Sequence, residues 1–160
     1  MKDERYRLFI RLLETFDRGC SLTEEYDSLL HNYNGTLMYQ AESQMIKIIG
    51  NHPGITAGEI SQGMGKSGSA SSQIIRKLKE KGWVRQERNE MNNRQYNLYL
   101  TEEGNAIYQD HRRFEERCYQ RTFHSLDGFS EEELRVYMSI QEQINSTFQM
   151  DVEESRSLGI

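Results

Sequence analysis

Apolar side chains recur every three to four residues along most of this chain, the spacing that lines one face of an α-helix. From about Asp3 to Leu30 they fall at Phe9, Leu12, Leu13, Phe16 and Cys20, then at Tyr26, Leu29 and Leu30 and on to Tyr33. A long first helix is expected there, with Gly19 as its weak point. A second, about Leu37 to Gly50, puts Met38, Ala41, Met45, Ile48 and Ile49 on one side and ends at the Gly50-Asn51-His52-Pro53-Gly54 turn.

Thr56 followed by Glu59 has the spacing of a capping box and opens a short third helix to about Met64. After Gly65 a fourth helix, about Ser67 to Lys81, stops at Gly82, the residue type suited to a left-handed helix end. Two short helices across a tight turn make a helix-turn-helix candidate. The period then changes to two over Trp83 to Arg88 and Arg94 to Leu100, with Asn89-Glu90-Met91-Asn92-Asn93 between them, which predicts a β-hairpin. Thr101 caps a long helix from Glu102 to about Phe123. Ser130 with Glu133 opens a last one to about Met150, carrying Leu134, Tyr137, Ile144 and Phe148 on one face. The polar tail from Asp151 to Ile160 is expected to fray. The fold class is therefore mainly α with a small β-hairpin wing.

Composition changes this picture in two ways. The 160 residues suit one compact domain, and with no apolar run near the roughly 20 residues of a spanning helix, no membrane is expected and the cytoplasm is the expected compartment. Charge is unevenly placed. The chain carries −5, but Lys66 to Arg94 holds eight basic residues against three acidic ones, a +5 segment in a remainder of −10. A local patch of that kind is what steers a protein to phosphate, whatever its overall pI.

On a helical wheel the fourth helix turns Ala70, Ile74 and Leu78 inward, with Ser67 and Ser71 beside them, and leaves Ser69, Ser72, Gln73, Arg76 and Lys79 outward. Short residues near a helix start permit close approach to a major groove. There Gln73 suits an adenine edge, Arg76 a guanine or phosphate, and Ser69 and Ser72 either. Ser67 and Lys77 complete the expected contacts of this helix. The hairpin tip adds Arg88, Asn92, Asn93 and Arg94, placed to reach backbone or an adjacent minor groove.

These pieces together resemble the MarR (multiple antibiotic resistance regulator) family of winged-helix regulators. The matching stretches are ITAGEIS at Ile55 to Ser61, SGSASSQIIRKLKEKGWV at Ser67 to Val84 and NNRQYNLYLTEEG at Asn92 to Gly104. The resemblance implies one MarR-like domain over residues 1–160. Its winged helix-turn-helix lobe would span 37–101, with dimerisation helices at 3–33 and 102–150. It further implies a homodimer, a double-stranded pseudo-palindromic DNA operator, and a repressor role released or engaged by an effector. One position departs from the family: where its wing has aspartate before an arginine pair, this chain reads Asn92-Asn93-Arg94. The carboxylate that would position Arg94 is missing.

For the effector the residues offer zinc or a small aromatic molecule, and neither is required for the fold. His111 and Glu115 are spaced i, i+4 on the fifth helix beside Asp110, with Cys20, Glu24 or Glu42 to complete a metal set. Placed among Ile107, Phe114 and Cys118, His111 reads more readily as a hydrogen-bonded histidine of a core or dimer interface. Cys20 and Cys118 have arginines nearby and could sense oxidants, although their apolar faces favour packing. Tyr6, Tyr26, Tyr33, Tyr39, Tyr108 and Tyr119, with Met38 and Met45, would line an aromatic pocket or simply a core. No phosphate-cradling glycine loop, nucleophile elbow or base-nucleophile pair is present, so no enzyme is expected. The alternative function is a winged-helix module that binds another protein without binding an operator.

Overall fold

A computed structural model of the chain describes residues 3–64, 68–89, 92 and 95–158. In chain order these form α1 (Glu4–Ser28), β1 (Leu30–Tyr33), β2 (Thr36–Tyr39), α2 (Gln40–Asn51), α3 (Ala57–Met64), α4 (Gly68–Glu80), β3 (Val84–Arg88), β4 (Tyr96–Leu100), α5 (Glu102–Ser125) and α6 (Glu131–Ser157). They fall into two compact units, residues 1–115 and 116–160. No helix among the described residues is long and apolar enough to cross a membrane.

The first unit differs from expectation at its start. The first helix ends at Ser28, close to the expected Leu30, but the chain does not stay irregular there: Leu30–Tyr33 pairs antiparallel with Thr36–Tyr39. Asn34 and Gly35 form the two-residue loop, with φ of 53° and 94°. Asn-Gly at a hairpin tip supplies the positive φ that a tight turn needs, and it outweighs the 3.6-residue spacing of Leu29, Leu30 and Tyr33. Met38, assigned above to the second helix, is consequently a strand residue, and α2 starts at Gln40. His31, Tyr33 and Met38 point inward from the hairpin, while Leu30, Leu37 and Tyr39 stay exposed.

The core joins this hairpin to the winged lobe. Tyr33 and Met38 cluster with Met45, Ile46 and Ile49 of α2, Ile60 of α3, Ile75 and Leu78 of α4, and Trp83, Val84, Leu98, Ile107 and Tyr108. Side chains of that size stabilise by about 1.5–3 kcal/mol each when fully buried. The inward line of α4 runs through Ser71, Ile75 and Leu78, with Ala70 and Ile74 at its edge. The buried face is thus turned by about one residue from the expected Ala70, Ile74, Leu78 line; with isoleucine at both 74 and 75, either face can carry a large apolar side chain.

Local chemistry ends and joins these elements. Thr56 N–H donates to Glu59 Oε2 at 2.8 Å and Glu59 N–H to Thr56 Oγ1 at 3.3 Å, the expected capping box of α3. At the end of α4, Gly82 has φ of 76°, its N–H donates to Lys79 O and Trp83 N–H to Leu78 O. This is a Schellman motif, and it turns the chain directly into the wing. Residues β3 and β4 pair from Val84↔Leu100 to Arg88↔Tyr96, and β4 also bonds the α2–α3 connection through Gly54 N–H to Leu98 O and Leu98 N–H to Ile55 O. The wing base is therefore tied to the helix-turn-helix.

The base is also tied to α5. Thr101 Oγ1 donates to Gly82 O at 2.7 Å and accepts from Gly104 N–H, and Trp83 Nε1 donates to Glu103 Oε1 at 3.0 Å. A Cβ on Gly104 would overlap the Trp83 carbonyl oxygen. Glycine at this helix start is required by close backbone approach.

In the second unit the end of α5 leads through a turn at Leu126–Phe129 into α6, opened by the expected Ser130–Glu133 capping box. The helix continues to Ser157, beyond the expected end at Met150. Polar side chains there are helix formers that bond along the surface, as Gln149 does to Glu153 at 2.7 Å, so low hydrophobicity does not end the helix. No described residue of this unit is buried.

Candidate nucleic-acid interface

Gly68–Glu80 is a helix whose start is built from glycine, alanine and serine, so its first two turns present little bulk. Ser69, Ser72, Gln73 and Arg76 are all exposed along one side. Ser72 Oγ donates back to Gly68 O at 2.7 Å, so in this rotamer it offers only acceptor capacity outward. The Arg76 guanidinium lies 3.6 Å from Glu80, with both side chains largely exposed. An ion pair of that kind is weak and yields readily to a phosphate or base.

The two lysines flanking this row are engaged elsewhere. Lys79 Nζ donates to Gln86 Oε1 on β3, fastening the helix to the wing. Lys77 Nζ lies 3.1 Å from Glu42 Oε1 and 5.6 Å from the Tyr39 ring centre. Between α3, α4 and the wing lies an open cleft of about 460 Å³, lined by Thr56, Ala57, Gly58, Ser72, Ile75, Arg76, Lys79, Gln86, Gln95, Tyr96 and Leu98. Ser72 and Arg76 of this row therefore share one concave surface with Gln86, Gln95 and Tyr96 of the wing.

At the wing, Arg88 and Asn92 are exposed. Asn89 organises the turn: its Oδ1 accepts from Asn92 N–H and its Nδ2 donates to Asn97 Oδ1, both at 2.9 Å. Ser67, Asn93 and Arg94, expected above to contact DNA, lie outside the described residues, as does Lys66 of the basic segment.

Sequence reading offered Glu42 only as a metal ligand and missed its pairing with two lysines. Its side chain is 5 % exposed, and Oε1 receives Lys81 Nζ at 2.8 Å as well as Lys77, while Oε2 receives Tyr39 N–H at 3.0 Å. Burial pushes this carboxyl up, but the bonds from Lys81, from the Tyr39 N–H and from Lys77 outweigh it and hold it below its ordinary value. The available signal was Lys77 and Lys81 at i, i+4, which places two cations on one face; their partner is 39 residues away from Lys81 and no local pattern reveals it.

The expected effector residues are dispersed. His111 is 3 % exposed, packs at 5.2 Å from the Tyr33 ring, and its Nδ1 has no hydrogen-bond partner among the described residues. Burial lowers its pKa, the Glu115 charge raises it and Lys47 lowers it, for a net lowering. Glu115 itself binds Lys47 Nζ at 2.5 Å, and Asp110 pairs with Arg113. No group of three His, Cys, Asp or Glu side chains suited to a metal occurs among the described residues. Glu24 is exposed and Glu42 is committed to its lysines.

Cys20 is exposed, not packed as its spacing suggested, because α1 buries no residue in the single chain. Cys118 is half-buried, with Arg121 Nη2 3.9 Å from its sulfur. Of the aromatic set, Tyr33, Tyr108, Met38 and Met45 are core residues, whereas Tyr6, Tyr26, Tyr39 and Tyr119 are exposed. Tyr33 Oη bonds Ser43 Oγ at 3.2 Å and Tyr108 Oη bonds Asn51.

A helix-turn-helix whose second helix runs through a Schellman turn into a two-stranded wing defines a winged-helix protein. Residues 38–95 match the family model described as the MarR family. Solved structures agree on the fold. FabT of Streptococcus pneumoniae, determined in complex with DNA, is 23 % identical with a TM-score of 0.66, the match covering 91 % of this chain and 98 % of that one. ZitR of Lactococcus lactis, described as a zinc-responsive MarR family member, is 17 % identical with a TM-score of 0.75, covering 88 % and 99 %. A MarR regulator of Methanosarcina mazei Go1 is 19 % identical with a TM-score of 0.57, covering 74 % and 81 %. No curated protein sequence matches the chain. The fold is that of MarR family transcription regulators, mainly helical with two small hairpins.

Proposed function

We propose that this chain is a sequence-specific DNA-binding transcriptional regulator, acting as a homodimer on a pseudo-palindromic operator and as a repressor that an effector engages or releases. The observation that carries the reading is the exposed row Ser69, Ser72, Gln73, Arg76 on α4, of which Ser72 and Arg76 line the same cleft as the wing. An amide and a guanidinium on a slim helix face are the groups that read base edges in a major groove. Arg88 and Asn92 extend the surface toward the flanking backbone, and Arg94 is assigned to the same role from its place in the wing sequence.

Dimerisation is supported by what the single chain leaves uncovered. Leu8, Phe9 and Leu22 of α1, and Tyr137, Met138 and Met150 of α6, are each at least 47 % exposed. Apolar area on that scale marks an interface. A second copy accounts for it and supplies the two-fold symmetry that a palindromic site requires. Zinc and a small aromatic molecule are the effector classes to test, and His111, whose buried Nδ1 has no hydrogen-bond partner among the described residues, is the first position to vary in that test.

The test is duplex binding by the full chain across a salt series, with Arg76→Ala beside wild type. The wild-type affinity should fall steeply with salt, and Arg76→Ala should bind more weakly with its oligomeric state unchanged. Duplex affinity indifferent to salt, or no duplex binding, overturns the reading.

A further inference from the structure

Of the three lysines that follow Arg76, Lys77 and Lys81 are both held by one buried carboxylate from a different helix. Glu42 sits in the first turn of α2, where Oε2 caps the helix by accepting Tyr39 N–H, and this fixes the carboxylate against α4. Its Oε1 then meets Lys77 Nζ at 3.1 Å and Lys81 Nζ at 2.8 Å. Lys77 is half-exposed and lies one residue from Arg76, so an untethered ammonium there would reach phosphate. Lys81 is further turned away, over the Trp83 ring at 4.5 Å.

A flexible lysine at the rim of a reading helix adds affinity for any duplex, because phosphate contacts carry no sequence information. A buried carboxylate that holds it reduces that contribution and ties the end of the reading helix to α2. We infer that Glu42 is a specificity-determining positioning residue: it withholds Lys77 from the DNA backbone and docks the end of α4, lowering affinity for non-operator DNA relative to operator. The inference rests on the proposed DNA-binding function and concerns how that surface discriminates. Nothing in it depends on the effector.

Salt dependence separates the two ideas, since each cation that neutralises a phosphate adds about 0.9 to the slope of log affinity against log salt. The full chain would be titrated onto a duplex selected from a random pool and onto a shuffled duplex of equal length and composition. Glu42→Gln keeps an acceptor for Tyr39 N–H and removes the charge. It should steepen the slope by about 0.9 per protomer, tighten binding to the shuffled duplex, and narrow the ratio between the two duplexes. Adding Lys77→Gln to Glu42→Gln should return the slope to the wild-type value. The single Lys77→Gln, at a half-exposed position that leaves the fold intact, should lose much less slope than Arg76→Gln does. An unchanged slope in a folded Glu42→Gln, or a loss in Lys77→Gln equal to that in Arg76→Gln, overturns the inference while leaving DNA binding standing. Wild type that binds neither duplex overturns the proposed function itself.

Discussion

Arg76 and His111 show how differently single residues reveal themselves. Arg76 was legible because an outward position on a periodic helix follows from its neighbours alone, and it is exposed with only a loose partner in Glu80. Its replacement by alanine should weaken operator binding by about 1–3 kcal/mol, measurable by fluorescence anisotropy with stability unchanged. His111 was legible as a buried residue, but its surroundings were not: Tyr33 against its ring and Lys47 on the neighbouring Glu115 come from distant segments. Its depressed pKa has a definite consequence for stability. A neutral buried histidine contributes fully above the ordinary value of 6.5, and that contribution is lost as pH falls through the lower folded value. The wild-type melting temperature should therefore drop as pH falls from 6.5 through the lower folded value, and His111→Phe should drop less, as thermal unfolding across a pH series would record.

At the scale of elements, the parts set by local chemistry were read correctly and the parts set by competition between signals were not. The capping boxes Thr56–Glu59 and Ser130–Glu133 and the Gly82 stop follow from two or three residues each, and they stand as expected. The Leu30–Tyr33 and Thr36–Tyr39 hairpin was missed because helical spacing was followed to Leu30 and resumed from Leu37, leaving the Asn34-Gly35 turn between them unused as a hairpin signal. Tyr33, expected on the face of the first helix, and Met38, expected on the second, are the hairpin's contribution to the core. The buried face of α4 is Ser71, Ile75 and Leu78 where the wheel expects Ala70, Ile74 and Leu78, because adjacent isoleucines at 74 and 75 leave the local pattern unable to choose between the two faces. The close fit of α5 on the wing base was present in the sequence only as a glycine, Gly104, whose need appears once the Trp83 carbonyl is seen beside it. Gly104→Ala should destabilise the chain by about 2 kcal/mol in denaturant unfolding, the scale of overpacking a tight contact. Because Thr101 and Glu103 join the same contact, the variant should also weaken DNA binding through a displaced wing.

Across the whole molecule, charge and uncovered apolar surface describe complementary demands. The +5 of residues 66–94 lies in a chain whose remainder carries −10, so phosphate is repelled by most of the protein and attracted at one lobe. The exposed apolar side chains of α1 and α6 ask for a partner, and a second copy is the one a palindromic site would match. Dimerisation is expected in solution by sedimentation, and Leu8→Glu with Phe9→Glu in α1 should shift the chain toward monomer and lower operator affinity together. The measurement that bears most directly on the central claim is selection of duplexes from a random pool by the full chain. The account predicts recovery of an inverted repeat with half-sites about 10 base pairs apart, bound with steep salt dependence. Recovery of no common sequence, or of duplexes bound equally well at all salt concentrations, would contradict it.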